Sequence, residues 1–88
     1  MKKRKEFVMR EIAGEYMLVP IGNTALSFNG VITLSDTGAF IWDHLEEAKD
    51  VDELVSMICS EYEVDSETAR ADAIELLSQK EAAGMIEV

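Results

Sequence analysis

The chain has 88 residues, 48% of them apolar, which is enough for one small core and too many for a disordered tail. At this length folding hides only about 60–65% of the surface that the unfolded chain exposes, so one domain with a thin stability margin is expected. Eighteen acids against eight Lys and Arg leave a net charge of −10, a balance that repels phosphate backbones and favours basic or neutral partners.

The basic residues are unevenly placed. Lys2, Lys3, Arg4, Lys5 and Arg10 are five of the eight, whereas only Lys49, Arg70 and Lys80 stand against seventeen acids from Glu11 onward. The basic start does not lead into the apolar stretch of a signal peptide. No run approaches the ~18–20 apolar residues needed to span a bilayer. Residues 1–6 therefore read as a disordered, solvated end ahead of a domain over residues 7–88. Cys59 is the only cysteine, so neither an internal disulfide nor a cysteine-rich metal site can form. Such usage fits a reducing compartment, and a cytoplasmic location is expected.

Residues 7–12 and 16–20 read as two strands joined by Ala13-Gly14-Glu15. Phe7, Met9 and Glu11 point to one face; Val8, Arg10 and Ile12 point to the other. Pro20 lacks a donor N–H and ends the second strand or lies at an edge. Two readings of the next stretch stay open. In one, residues 25–28 form a short extra strand that turns back through Asn29-Gly30 into Val31, Ile32, Thr33 and Leu34. In the other, residues 22–30 are a long loop and the sheet has three strands. Asn29-Gly30 is a strong type I′ turn signal, because both residues tolerate φ > 0.

Three helices follow. The first covers about residues 36–45, with Ser35 or Asp36 as its cap and Ala39, Ile41, Trp42 and Leu45 as its buried face. The second opens with Asp50 and, three residues later, Glu53, a capping-box pair. Val51, Leu54, Val55 and Ile58 then fall on one helical face. The third opens at Asp65, with Val64 placed to pack on Ala69 as a staple. Ala69, Ala73, Leu76, Leu77 and Ala83 keep the period up to Gly84, a natural stop. Met85, Ile86 and Val88 form an apolar end that docks on the core. Strands first and helices after argue an α+β domain. A small antiparallel sheet of three or four strands followed by three helices is winged-helix-like.

Reactive groups are sparse. His44, the single histidine, and Cys59 lie on different predicted helices. Cys59 follows Ile58 on a mostly apolar helix and reads as a small apolar filler. The densest acid runs, residues 46–47, 50–53 and 61–65, lack calcium-loop spacing and are explained by capping and solvation. No catalytic residue, metal site or cofactor is expected.

The segments LSDTGAFIW (residues 34–42), DELVSMICSEYEVD (52–65) and ETARADAIELLSQKEAAGMI (67–86), preceded by the strand pair FVMREIAGEYMLVP (7–20), resemble in order and spacing the PqqD-like family. These are small domains also described as precursor-peptide recognition elements. The family usually has Asn where Ser35 or Asp36 stands, a cap-for-cap exchange. Residues 22–30 are longer and more turn-rich than the family pattern. The resemblance implies that the leader of a ribosomally made precursor peptide lies along the third strand and against the third helix. A separate modifying enzyme, commonly a radical SAM enzyme, then acts on the peptide.

Mapped onto this chain, the peptide edge is Val31, Ile32, Thr33 and Leu34, and the facing helix offers Arg70, Ile74 and Leu77 at i, i+4 and i+7. The plainer alternative is that Ile74 and Leu77 are core and that Arg70 pairs with Glu67 or Asp72. Two rival functions share the architecture. A winged-helix DNA-binding protein needs a basic recognition helix, and here the third helix is net negative. A self-associating subunit would use the same strand edge to form a homodimer.

Overall fold

The computed structural model describes residues 1–27 and 30–87. Strand β2 (Phe7–Ile12) and strand β3 (Glu15–Pro20) form an antiparallel hairpin, with Phe7 opposite Pro20 and Ile12 opposite Glu15. The connection is a two-residue turn. Ala13 has φ 53° and Gly14 φ 83°, the pair of positive values that a type I′ turn requires. The strand β4 (Ile32–Leu34) joins the other side of β3, with Tyr16 opposite Leu34 and Leu18 opposite Ile32. The sheet order is β2-β3-β4, so β4 lies at an edge.

This sheet has three strands, as in the second of the two sequence readings. Residues 24–27 form a short helix, α1 (Thr24–Ser27), and β4 pairs with β3 instead. The proposed extra strand reaches Phe28, and the expected hairpin turn includes Asn29; both lie outside the described residues, as does Val88. Val31 precedes β4 rather than belonging to it.

The basic start is paired rather than frayed, which corrects the expectation for residues 1–6. Strand β1 (Lys2–Lys3) runs antiparallel to β5 (Ile86–Glu87), with Lys3 opposite Ile86. The Arg4 N–H donates to the Met85 carbonyl at 2.9 Å, and the Lys3 N–H donates to Glu46 Oε2 at 2.9 Å. The Lys3 ammonium lies 5.8 Å from the centroid of the Trp42 ring. A lysine stem can lie along apolar surface while its charge stays wet, and reading the segment by charge alone misses this.

The helices follow their caps. In α2 (Asp36–His44), Ser35 Oγ accepts from the Gly38 N–H at 3.0 Å. In α3 (Val51–Glu61), Asp50 accepts from the Glu53 N–H at 2.9 Å, and Glu53 reaches back to the Lys49 N–H, also at 2.9 Å. The box therefore closes one residue upstream of its usual partner. In α4 (Ser66–Ala82), Asp65 accepts from the Thr68 N–H at 2.7 Å. That bond holds the Asp65 carboxyl below its ordinary value. Gly84, with φ 74°, ends the helix in the left-handed region that glycine enters freely.

All three long helices contribute to one core. Leu18 of the sheet, Ile41 and Leu45 at α2, Leu54 and Ile58 of α3 and Met85 after α4 are fully enclosed, and Trp42 is 2% exposed. Met85 and Ile86 dock as an apolar end. Tyr62, after α3, donates its hydroxyl to the Asp36 carbonyl at 3.4 Å and meets Phe40 edge-on. Among the described residues no helix is long and apolar enough to cross a membrane.

Candidate functional site

Among the described residues strand β4 bonds to β3 on one side only, so there its other side presents backbone N–H and C=O groups without a strand partner. Ile32 and Leu34 turn toward the core, half-buried and buried, whereas Thr33 is exposed. Val31, just before the strand, is 51% exposed. Ile32, Thr33 and Leu34 thus form the edge strand, and Val31 leads into it.

Leu34 runs straight into the Ser35 cap and α2. Beside that junction a groove of about 250 Å³ opens between α2 and α4. Its α2 wall is built from Ser35, Thr37, Gly38 and Ile41. Its α4 wall is built from Asp72, Glu75, Leu76 and Gln79, residues that recur at helical spacing along one side of α4. Gly38 is buried at the base. A Cβ there would come within 3.1 Å of Leu76 Cδ1, 3.2 Å of Ser35 Oγ and 3.7 Å of Leu34 Cβ, so the missing side chain lets the two helices and the strand end approach closely.

The groove is of mixed lining: Gly38, Ile41 and Leu76 stand among polar side chains, and Asp72 and Glu75 make its α4 wall acidic. Gln79 donates to Glu75 Oε1 at 3.5 Å. Among the described residues no Lys, Arg or His forms an ion pair with Asp72 or Glu75.

The helix residues chosen from sequence face elsewhere. Arg70 pairs with Asp52 of α3 at 2.6 Å, rather than with Glu67 or Asp72. Ile74 is 48% exposed and, with Leu77 and Val51, lines a shallow hollow on the α3 side. Leu77 is buried in the core. At about 100° per residue, Ile74 points about 160° away from Leu76 around the helix. Val31, Ile32, Thr33 and Leu34 are thus brought together at the strand edge, and Arg70, Ile74 and Leu77 are brought together along the other side of α4. Sequence reasoning missed Gly38, Leu76, Asp72 and Glu75 as neighbours. The available signal was Gly38 itself, since glycine inside a helix is tolerated chiefly where something must come close.

Other reactive groups are engaged structurally. His44 Nδ1 lies 2.5 Å from Glu47 Oε2, and its ring packs on Phe40. Cys59 is half-buried against the core. Among the described residues no group of three or more His, Cys, Asp or Glu is arranged to hold a metal ion.

The family model described as coenzyme PQQ synthesis protein D (PqqD) matches residues 11–86. Among solved structures, TbiB1 in complex with the TbiA(beta) leader peptide is 30% identical, with a TM-score of 0.74 over 99% of this chain and 95% of that chain. Lasso peptide synthetase B1 complexed with the leader peptide is 23% identical, with a TM-score of 0.76 over 99% of this chain and 96% of that one, and shares the fold. No curated protein sequence matches. A model match from the second strand to the last, joined to a 30% identical structure aligned over nearly its whole length, shows that the chain belongs to the PqqD family.

Proposed function

We propose that this chain is a non-catalytic recognition domain that binds the leader of a ribosomally made precursor peptide. The leader adds as a strand to the edge formed by Val31, Ile32, Thr33 and Leu34. It continues into the groove between α2 and α4, where it meets Gly38, Leu76, Asp72 and Glu75. The carrying observation is the position of that edge: among the described residues, a strand with one side unpaired leads directly into the groove between α2 and α4. The 30% identical TbiB1 was solved with a leader peptide bound, which supports the reading. Backbone hydrogen bonds along the edge supply affinity, and the groove supplies choice of side chain.

On this reading Arg70, Ile74 and Leu77 fall outside the contact: Arg70 pairs with Asp52 of α3, Leu77 packs in the core and Ile74 is half exposed. A domain of this kind acts by tethering. Holding the leader brings the rest of the precursor to a separate modifying enzyme, such as a radical SAM enzyme, at a raised effective concentration, with avidity gains on the order of 10²–10⁴.

The test is an amide NMR titration with the leader of a precursor encoded beside this chain. Shifts are expected at Val31, Ile32, Thr33, Leu34, Gly38 and Leu76. Shifts centred on Arg70 and Ile74 instead would move the contact to the other side of α4. No shifts with any such leader would overturn the role. Light scattering in the same samples separates peptide capture from pairing of two β4 edges.

A further inference from the structure

Resting on the leader-binding reading, we infer that the groove selects a peptide carrying a Lys or Arg at the position facing α4, with Asp72 and Glu75 as the residues that choose it. Three observations meet here. Both carboxylates stand on the α4 wall of the groove. Among the described residues neither has a basic partner. The cations nearest in sequence are otherwise engaged: Arg70 is held by Asp52 on the α3 side, and the side chain of Lys80 is nearly covered. A peptide seated in the groove loses water from one side of both acids. An acidic side chain brought there is repelled by two charges, and a neutral one leaves both uncompensated. A Lys or Arg forms charge-assisted hydrogen bonds with them.

The groove also fixes where that cation must lie. Leu76 is flanked by Glu75, next in the chain, and by Asp72, one turn earlier on the same side of the helix. The basic residue therefore sits beside the apolar residue that rests on Gly38 and Leu76. The recognised segment pairs one apolar with one basic side chain, carried on a backbone that adds to β4. This choice is local and distinct from the general pull of a body with net charge −10.

The experiment selects binders from a displayed library of random peptides of roughly fifteen residues, long enough for one strand with flanks. Three proteins are used: the unmodified chain, D72K/E75K, and E61K/E63K, which changes net charge equally but away from the groove. Asp72, Glu75, Glu61 and Glu63 are all exposed, and a second groove variant, D72N/E75Q, removes charge without adding bulk. The expected result is a Lys or Arg fixed beside an apolar residue in the peptides selected by the unmodified chain and by E61K/E63K. The D72K/E75K protein selects Asp or Glu at that position, and D72N/E75Q selects neither. Replacing the selected cation by Gln weakens binding to the unmodified chain about five- to tenfold. Peptides that shift the Val31–Leu34 amides but show no cation, or a cation unaffected by D72K/E75K, overturn the inference and leave the leader-binding reading intact. Recovery of no peptide that shifts those amides overturns both.

Discussion

Gly38 of α2 and Leu76 of α4 are packed so closely that a Cβ on residue 38 would stand 3.1 Å from Leu76 Cδ1. On helix propensity alone Ala is better than Gly in a helix interior by about 1 kcal/mol. At this position the gain is opposed, because Ser35 Oγ, the α2 cap, lies 3.2 Å from the same point. Leu76 ends in a flexible methyl and yields by turning into the groove. Gly38→Ala should therefore change stability by less than about 1 kcal/mol, while leader affinity falls about five- to tenfold. Thermal melts and fluorescence polarisation on one preparation check both halves. Unchanged affinity would place the peptide away from this junction.

The fold was legible because its signals are local. Ser35 or Asp36, Asp50 and Asp65 each announce a helix start, and Ser35, Asp50 and Asp65 are the caps. Gly84 announces a stop and provides it. The side of α4 that lines the groove was not legible in the same way. Ala69, Ala73 and Leu76 have the same i, i+4, i+7 spacing as Arg70, Ile74 and Leu77, so periodicity alone does not say which set turns toward α2. The answer depends on how α4 is rotated about its axis. That rotation is set by Leu77 and Ala73 entering the core and by Arg70 reaching Asp52 across to α3. Ala13-Gly14-Glu15 was legible as the join between the first two strands, but its two-residue turn type was not, because alanine seldom takes φ > 0.

Arg70→Ala separates the two faces of α4. The Arg70–Asp52 pair is short but both side chains are well exposed, and exposed pairs contribute about 0.2–1 kcal/mol. Stability should fall by no more than that amount, and the loss should shrink with added salt. Leader affinity should stay within about twofold of the unmodified chain, since Arg70 lies off the groove. Isothermal calorimetry decides this, and a large affinity loss would restore Arg70 to the peptide contact.

Strand addition makes a prediction with period two. Along an added strand, alternate residues direct their N–H and C=O groups to the neighbouring edge. Methylating leader amides that face β4 removes donors at a cost of about 1 kcal/mol or more each. Methylating the intervening amides should cost little. Competition binding with a set of singly N-methylated leaders reads this pattern directly. Equal sensitivity along the segment would point to recognition by side chains alone.

Ala13 offers a stability gain unrelated to binding. Its φ of 53° places a Cβ in the left-handed region, which costs a non-glycine residue about 1–2 kcal/mol. Ala13→Asn, with a side chain that tolerates this conformation, or Ala13→Gly, should stabilise the domain by about 0.5–1 kcal/mol. Urea midpoints at constant slope measure the change. A lower midpoint in both variants would mean that the turn is held by something other than its own backbone preference.

Lys80, in the last turn of α4, is 8% exposed, and burial pushes its ammonium below the ordinary lysine value of 10.5. The unfolded chain holds this proton up to about 10.5, whereas the folded chain releases it earlier. Between those two values the unfolded state binds more protons, so Lys80 makes stability rise with pH across that window. Tyr62 acts in the opposite sense. Burial, with Asp36 and Glu61 nearby, raises its phenol above 10.0, and the stabilising contribution this brings is lost as pH climbs through the folded value. Comparison with Lys80→Met cancels the Tyr62 effect, because both proteins keep that residue. Met preserves most of the apolar stem and removes the charge. The variant should therefore be the more stable protein at neutral pH, with its advantage narrowing as pH approaches about 10.5. Urea titrations of both proteins over that range provide the comparison. A constant difference between them would show that the Lys80 ammonium is as well solvated in the fold as in the unfolded chain.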